Sequence, residues 1–504
     1  MPRSLARAVL ALICIASALP TRAAEAPEPA GAFGEPSAPV NLSGTVNLQD
    51  CVGLALGRNF AVRIQQFSVY QAVDSVEVQQ AAFEPVFGFN LNKQFNQPTI
   101  NESQFGYPAN QTQETAALSI NDTLITGATL TGNYSLVRTN QFPAFFPPNP
   151  SYTGTSSISV TQPLLQRAGT DYNRAALESA RLGVRISNLN FKSAVLTMVL
   201  NVEDTYYNLL YQREQYKVQE QEMKQAQQLL DENTIRRQTG ILTDLDVMNA
   251  KAGVAAAKNQ LILDQQAVRN SEDSLLQLLG DREFSTAVGE VSFPEIADPQ
   301  VSFDRSYKLA RDNGPDLAVA LATIEQYKLT ALKAKRDMLP ELNVNGGVGK
   351  GSYAASANQS LTGNWNGYNW TAGLTVSIPW GMKANRALYH QALSQVRSEQ
   401  VAYDQADQKL VVSVRAAVRA VETGLQSVRS SSENTQYATK AYELTKAQFD
   451  AGLATSYLVL QSQNTLETAR VSELQAKVNL LSAIANLRFL EGSSLQLYRI
   501  NLPE

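Results

Sequence analysis

The spacing of apolar residues along the chain changes between a helical period and a strand period. From Asn47 to Ala82, apolar side chains recur every three or four positions, which predicts one helix with a bend near residues 57–59. Pro85 ends this helix, because proline lacks an amide donor and restricts the residue before it. From Phe87 onward, apolar residues alternate with Gly, Asn and Gln, and only Lys93 interrupts the alternation. This change predicts a strand with one apolar and one polar face.

Further alternating segments predict more strands in two regions, at about 84–163 and about 341–378. The segments are 116–120, 128–136, 157–161, 342–348 and 368–378. The chain is expected to have four strands, or six if the segment 116–136 crosses as a hairpin. A single helix, beginning near residue 303, is predicted before the second region, as one is before the first.

The polar side of these strands carries small neutral residues, mainly Asn, Ser, Thr and Gly. An antiparallel sheet on a soluble core shows the same alternation, but no helix of this chain has a wide apolar face to cover the sheet. The pattern therefore favours a membrane β-barrel with a water-filled lumen, with Tyr368 and Trp370 in an interfacial belt. Because so few strands cannot enclose an open lumen, several chains must contribute, and a trimer would supply twelve or eighteen strands.

Two very long helices are predicted, at about 172–238 and about 384–449. Each has about 66 residues, a length of roughly 100 Å. Both carry many charges and exceed a bilayer core, so we expect them to stand in the periplasm. Shorter helices at 244–279 and 456–490 return beside them, and their alanines permit close antiparallel packing. A closed bundle and a hollow α-helical barrel both fit this pattern, and the pore strands favour the helical barrel.

The two halves of the chain have the same order of elements, which indicates an internal tandem repeat. Gly240 and Gly452 are separated by the same interval as Gly280 and Gly492. The first copy, the connecting segment, the second copy and the tail are 44–280, 281–302, 303–492 and 493–504.

The first 23 residues have the features of a secretory signal peptide. Two arginines precede an apolar run from Ala8 to Leu19, and Thr21-Arg22-Ala23 is a suitable cleavage site. Residues 24–43 then form an extended linker rich in Ala, Pro and Gly. Cys14 lacks the small preceding residue that a lipoprotein signal requires, so lipidation is disfavoured. Only Cys51 remains after cleavage, which excludes an intrachain disulfide.

Composition argues against catalysis and against nucleic-acid binding. The net charge is −4, and removal of the basic leader would make the chain more acidic, which does not favour a nucleic-acid partner. The only histidine is His390, and with one mature cysteine a typical transition-metal cluster is not expected. No phosphate-binding loop, nucleophile elbow or zinc signature is present. We expect no enzymatic activity and no cofactor.

The export signal, the duplicated order of elements, the sequence Gln162-Pro163-Leu164-Leu165 at a strand exit and the paired Gly-x-x-Thr turns resemble the TolC family of outer-membrane efflux and secretion ducts. The resemblance covers residues 47–492. It implies an α+β membrane protein, a homotrimer whose outer-membrane β-barrel, with four or more strands per chain, continues into a long periplasmic α-helical barrel. It also implies an equatorial belt built from segment 281–302 and the termini. The implied partners are a periplasmic adaptor protein and an inner-membrane transporter.

This resemblance assigns the turns between the long and short helices as the periplasmic tips that contact the adaptor. The expected contact residues are Gly240, Ile241, Leu242, Thr243, Gly452, Leu453 and Thr455. Glycine favours such turns, and the apolar residues beside it are expected to be exposed and to need covering.

The chain departs from the family pattern in two places. The first copy has extra strand-like residues at 94–154, whereas family copies usually carry two strands. Some members carry aspartates six and nine positions beyond the second tip glycine, where this chain has Leu458 and Gln461. An acidic ring at the aperture would therefore have to come from Asp244 and Asp246. Alternatively, the role of Asp246 is structural, in a capping box with Thr243.

The function that these features predict is a passive exit duct of a tripartite efflux pump or a type I secretion system in a Gram-negative outer membrane. Two alternatives stay open: a structural periplasmic coiled-coil protein with a small β domain, and a self-contained porin.

Overall fold

The computed structural model is mostly helical and contains one large β-sheet. It describes residues 44–97, 110–142, 144, 147–281, 284, 288–294, 301–363, 365, 367–500 and 502. The predicted signal peptide 1–23 and linker 24–43 lie outside these residues. The helices are α1 Leu48–Arg58, α2 Phe60–Gln80, α3 Thr170–Gln238, α4 Asp244–Leu278, α5 Phe303–Asn313, α6 Pro315–Asp337, α7 Ala357–Thr362, α8 Lys383–Asp450, α9 Ser456–Glu491 and α10 Ser494–Leu497. The strands are β1 Thr45–Val46, β2 Val86–Asn96, β3 Asn110–Thr123, β4 Thr129–Phe142, β5 Ser151–Pro163, β6 Glu290–Val291, β7 Glu341–Ala354 and β8 Gly367–Ser377.

The chain divides into two compact units. One contains the large sheet and the helix segments that lie within residues 70–185 and 322–400. The other contains the remaining described residues, including both turns between the long and short helices. In the part of the chain that the structure describes, no helix is both long enough and apolar enough to cross a bilayer.

The prediction of a single bent helix from Asn47 to Ala82 is wrong, because the chain breaks into α1 and α2 at Asn59. The backbone of Asn59 is extended, with ψ 126°. Its side-chain oxygen accepts hydrogen bonds from the amides of Ala61 (2.9 Å) and Val62 (3.4 Å), so it caps α2. Its amide nitrogen donates to the carbonyl oxygen of Leu278 at 3.0 Å. These bonds replace the helical ones that the break removes.

The helix that precedes the second group of strands is also two helices. Gly314 is extended at the junction between α5 and α6, with ψ 131°. Pro315 begins α6, where its missing amide hydrogen is no loss because the first amides of a helix have no intrahelical partner. The connection between β7 and β8 contains the short helix α7.

The six long strands form one antiparallel sheet in the order β2-β3-β4-β5-β7-β8. The extra segment of the first copy is the hairpin β3–β4, so the structure has the six strands that the sequence left as one of two alternatives. Its turn contains Gly127 at φ +90°, where a Cβ atom would lie 2.6 Å from the carbonyl oxygen of Arg167. Within the described residues, the outer edges of β2 and β8 have no strand beside them.

The sheet has an apolar face and a polar face, because its register aligns residues of like kind across all six strands. A representative apolar row is Phe87, Ile120, Gly132, Ile158, Val348 and Trp370. We call the side defined by this row the apolar face. The opposite side carries small hydroxyl, amide and glycine residues, among them Asn90, Ser135, Thr155 and Thr371. The alternation predicted from the sequence therefore continues across neighbouring strands.

In the second unit, the middle of α3 holds three segments that are distant in sequence. The Tyr206 hydroxyl donates to the carbonyl oxygen of Val46 in β1 at 3.0 Å, and β1 pairs in parallel with β6. The hydroxyl of Tyr498, near the end of the chain, donates to Oε1 of Glu203 at 2.6 Å. Leu196 and Leu209 of α3 are almost fully buried in the same core.

Candidate functional site at the helical tips

Two turns connect the long helices to the shorter helices that follow them, and both are built in the same way. We call them the first tip, residues 239–243, and the second tip, residues 451–455. Gly240 and Gly452 have φ +81° and +77°, a conformation that strains any residue with a Cβ atom. The following amides bond back into the preceding helix, from Ile241 to the Arg236 oxygen (2.9 Å) and from Leu453 to the Gln448 oxygen (2.8 Å). These bonds satisfy carbonyl groups at the helix ends.

Each tip ends on a threonine that caps the next helix. The Thr243 hydroxyl accepts a hydrogen bond from the Asp246 amide at 3.3 Å, and Asp246 Oδ2 accepts one from the Thr243 amide at 3.0 Å. This is the capping box that the sequence offered as a structural role for Asp246. Hydrogen bonds from the Thr243 side chain and backbone lower the pKa of Asp246. Thr455 caps α9 through the Leu458 amide, at 3.4 Å.

Arg236 joins the two tips within one chain. Its guanidinium donates to the carbonyl oxygen of Phe449 at 2.9 Å and to Oδ1 of Asp450 at 3.1 Å. It also lies 4.2 Å from the centroid of the Phe449 ring, which is a cation–π contact. We call Arg236, Phe449 and Asp450 the clasp. Ser456 adds a second link, since its hydroxyl donates to Oδ1 of Asp246 at 3.2 Å.

The clasp lies beside a small hydrophobic cluster. Phe449 is 1% exposed and packs with Leu229 and Val459. The contact of Leu242 with an adaptor stays a prediction, but the expectation that Leu242 is exposed is wrong, because it is half-buried against this cluster. The reason is that the turn directs alternate apolar residues to opposite sides: Ile241 is 71% exposed and Leu242 faces the core.

Other apolar residues at the tips are exposed in this chain. Leu453, which was expected, is 82% exposed. Sequence reasoning missed Leu245, Met248 and Tyr457, which are 69%, 59% and 62% exposed on the first turns of α4 and α9. Their position just after each cap was the available signal.

The two candidate aperture residues both have partners in their own chain. Asp244 Oδ1 lies 2.7 Å from an Arg237 guanidinium nitrogen, and the carboxylate is well exposed. Asp246 is engaged by Thr243 and Ser456. The structure also shows a contribution that the sequence did not suggest. Arg236 reaches a residue 214 positions later in the chain, and no local pattern marks such a pair.

A sheet with one apolar and one polar face, together with long paired helices that end in exposed turns, defines an outer-membrane channel protein. The model of the family "Outer membrane efflux protein" matches residues 51–281 and 306–493. The chain belongs to this family, which confirms the resemblance found in the sequence.

Relatives and solved structures agree with this assignment. The chain is 27% identical over 326 residues to the pyoverdine export outer membrane protein OpmQ of Pseudomonas putida, covering 62% of this chain and 66% of that protein. It is 21% identical over 349 residues to TolC of Escherichia coli, covering 67% and 69%. The fold is similar to the outer-membrane channel OprN, with a TM-score of 0.70, 15% identity and coverage of 88% and 89%. It also resembles the CmeC channel of Campylobacter jejuni, with a TM-score of 0.69, 16% identity and coverage of 91% and 90%.

Family membership gives the location of the protein. It resides in the outer membrane of a Gram-negative bacterium and has a long helical extension in the periplasm. Proteins of this family are transport channels. In the described part of the chain, no group of three His, Cys, Asp or Glu side chains is arranged to hold a metal ion.

Proposed function

We propose that the protein is the passive exit duct of a tripartite efflux pump or a type I secretion system. Three copies form a β-barrel in the outer membrane and an α-helical barrel in the periplasm. A periplasmic adaptor binds the tips, and an inner-membrane transporter supplies the energy. The observation that carries this proposal is the six-stranded sheet, which within the described residues has two unpaired edges and one mainly apolar side with many exposed large hydrophobic residues, and which is therefore incomplete as a soluble structure.

The two edges of the sheet are suited to pair with each other between copies. Neighbouring strands are antiparallel throughout, so β2 and β8, at opposite ends of an even number of strands, also run in opposite directions. Three sheets joined in this way contain eighteen strands and leave no edge open to lipid, where an unpaired backbone group is costly. With strands about 4.8 Å apart and tilted by about 40°, the backbone diameter would be roughly 35 Å, wide enough for an aqueous channel.

The element order supports descent from a duplicated unit. The same order of strands, a long helix, a capped turn and a shorter helix occurs twice. The first occurrence ends with α3 and α4, and the second ends with α8 and α9. Both turns use glycine at positive φ and a threonine cap. In this reading the hairpin β3–β4 is an addition to the first copy alone.

The trimeric barrel is tested by a disulfide between the two edges. If the outer ends of β8 and of the next copy's β2 are aligned, Thr371 faces Asn92 on the polar side. We expect Asn92→Cys combined with Thr371→Cys to give covalent dimers and trimers, and nothing larger, on a non-reducing gel after oxidation. Reductant should return the chain to monomers. Cys51 is buried and should not contribute.

The control pairs Thr371→Cys with Ser119→Cys, which lies on the interior strand β3 and cannot reach a neighbouring edge. Variants at Asn90 and Gln94 in place of Asn92 cover a shift of register by two residues. Monomers alone in every combination, or a ladder that continues beyond three chains, would contradict the closed trimer. A structural coiled-coil protein would also lack a heat-resistant oligomer in the outer-membrane fraction. A self-contained porin would close its barrel without pairing β8 of one chain with β2 of another.

We further propose that the clasp holds the tips in a closed arrangement and that adaptor binding releases it. Arg236→Gln removes the charge that engages Phe449 and Asp450, which directly precede the second tip. We expect a several-fold higher single-channel conductance in planar bilayers, because packed interfaces switch between discrete arrangements when such contacts are lost. Arg237→Gln is the matched control, since Arg237 pairs with Asp244, on the other side of the first tip. Equal conductance for the two variants would refute the proposal that the clasp holds the tips closed.

The same recordings test the aperture ring proposed for Asp244 and Asp246. Three copies of either carboxylate would select cations, so Asp244→Asn or Asp246→Asn should reduce the preference for cations over anions. Asparagine at position 246 retains an oxygen for the capping box. Unchanged selectivity in both variants would leave these residues with the structural roles that they have within one chain.

The exported cargo is proposed only at the level of class. Relatives are described as proteins for pyoverdine export, for toxin and drug export and for alkaline protease secretion. A duct of this type therefore serves either small molecules or a secreted polypeptide. Deletion of the gene should sensitise cells to exported compounds or abolish secretion of one polypeptide, and the absence of both effects would contradict an export role.

A further inference from the structure

The charged residues of the six long strands lie almost entirely on the side where charge is least expected. Glu341 is the one charged side chain that these strands place on the polar face. The other five are on the apolar face: Lys93, Glu114, Asp122, Arg138 and Lys350. Four of these five, three cations and one anion, cluster at the end of the sheet that is remote from the helix connections. The strand residues at this end therefore carry a net positive charge.

Three of these residues form an ionic row across neighbouring strands. The register aligns Lys93 of β2 with Glu114 of β3 and Arg138 of β4. Lys93 Nζ lies 2.9 Å from Glu114 Oε1, and Arg138 Nη1 lies 2.9 Å from Glu114 Oε2. The carboxylate is thus engaged through both oxygens. The Lys93 side chain is 68% exposed, whereas those of Glu114 and Arg138 are 17% and 20% exposed.

The same end of the apolar face carries other polar structure. Helix α7 packs over β4, β5 and β7, and the Ser360 hydroxyl lies 2.9 Å from that of Ser352. Tyr134 and Trp365 place their ring centroids 6.0 Å apart beside it. Toward the other end of the face, the exposed side chains are apolar, among them Phe87, Ile158 and Val348.

Position along the strands decides which environment this row meets. A charged side chain on the lipid side of a barrel costs about 2–4 kcal/mol at the bilayer midplane and about 0–1 kcal/mol near an interface. The strand ends that connect to α2, α3, α6 and α8 are on the periplasmic side, because the long helices extend into the periplasm. The ionic row is at the opposite ends, and so in the proposed barrel it would lie at the level of the outer leaflet headgroups.

We propose that Lys93, oriented by Glu114, binds a phosphate group of a phosphorylated lipid headgroup in the outer leaflet of the outer membrane. Lys350, which is exposed on the same face four strands along the sheet, contacts a second headgroup. The ammonium groups of the two lysines supply the positive charge that stabilises an anionic headgroup where little water is present. This site rests on the proposed barrel, in which the apolar face is the lipid side.

The test uses native mass spectrometry to compare the amount of lipid that each purified oligomer retains. Wild-type protein, Lys93→Gln/Lys350→Gln and the control Lys251→Gln, which changes an exposed lysine of α4, are each incubated with bisphosphorylated lipid A and with lipid A from which the phosphates have been removed. We expect the double variant to retain several-fold less phosphorylated lipid than the wild type and the control. All three proteins should retain the dephosphorylated lipid equally weakly.

Equal retention of phosphorylated lipid by the double variant and the control would overturn the proposal. Displacement of the lipid by millimolar inorganic phosphate would also overturn it, because the site would then be one for free phosphate and not for a lipid headgroup. The oligomer is measured in the same spectra. Loss of the trimer in wild-type protein would count against the barrel, whereas an intact trimer with unchanged lipid retention would count against the lipid site alone.

Discussion

Replacing Glu222 by glutamine is expected to stabilise the helical part of the protein at pH 8 by up to about 3 kcal/mol. Glu222 is only 8% exposed. Burial, with a smaller contribution from the nearby Glu467, raises the pKa of its carboxyl from 4.5 to about 7, against the opposing effects of Gln463 and Arg470. The folded protein therefore has to accommodate a buried, ionised carboxylate at pH 8, and glutamine removes this requirement while it keeps the shape.

The sign of the pH dependence follows from the raised pKa. Between pH 4.5 and about 7 the folded state binds more protons at Glu222 than the unfolded state does, so stability falls as the pH rises through this window. The wild type and Glu222→Gln should have similar stability at pH 4.5 and should diverge by pH 8. Urea unfolding followed by circular dichroism at both pH values measures the difference.

The control for this prediction is Glu220→Gln, two positions away on the same helix. Glu220 is exposed, so its replacement should change stability little at either pH. A Glu222→Gln protein that is no more stable than the wild type at pH 8 would show that Glu222 is solvated and ionised without cost in the assembled protein.

Deletion of the hairpin β3–β4, residues 110–142, is expected to narrow the β-barrel by about one third. The diameter of a barrel grows roughly linearly with the number of strands. Removal of two strands from each of three chains would change eighteen strands to twelve. The shortened chain can still close the sheet, because β2 and β5 run in opposite directions and can pair directly. Electron micrographs of the purified oligomer would measure the outer diameter of the membrane part.

The matched control replaces helix α7, residues 357–362, by a flexible linker of equal length. This change removes the helix that packs on the apolar face of the sheet and leaves every strand in place. Its barrel should keep the wild-type diameter. An unchanged diameter after deletion of the hairpin would mean that β3 and β4 are not part of the wall of the barrel.

Several features of the fold could be predicted because their causes are local. The ends of α3 and α8 follow from Gly240 and Gly452, since a turn that requires positive φ favours glycine wherever the rest of the chain lies. The start of α4 follows from Thr243 and Asp246, which are three positions apart and complete their capping box without any distant partner. The position of each strand followed from its alternation.

Other features depended on residues that are far apart in sequence. Lys93 interrupts the alternation of β2. The reason is visible only in the register, which places Glu114 beside it on the next strand. The alternation of the hairpin β3–β4 would be the same inside or outside the sheet, so the sequence did not decide whether the hairpin joins it. The break at Asn59 was missed because its pattern of apolar residues continues on both sides, while the bond that stabilises the break goes to Leu278.

The sequence by itself determined the periods of helix and strand, the capped turns and the membership of the outer membrane efflux proteins, because each of these is encoded in short segments or in their order. Tertiary structure alone decided that the sheet has six strands, that Leu242 packs inward and that Arg236 joins the two tips. These depend on which backbone edges and side chains meet in space. The contacting groups are up to 214 positions apart, and no local periodicity determines their pairing.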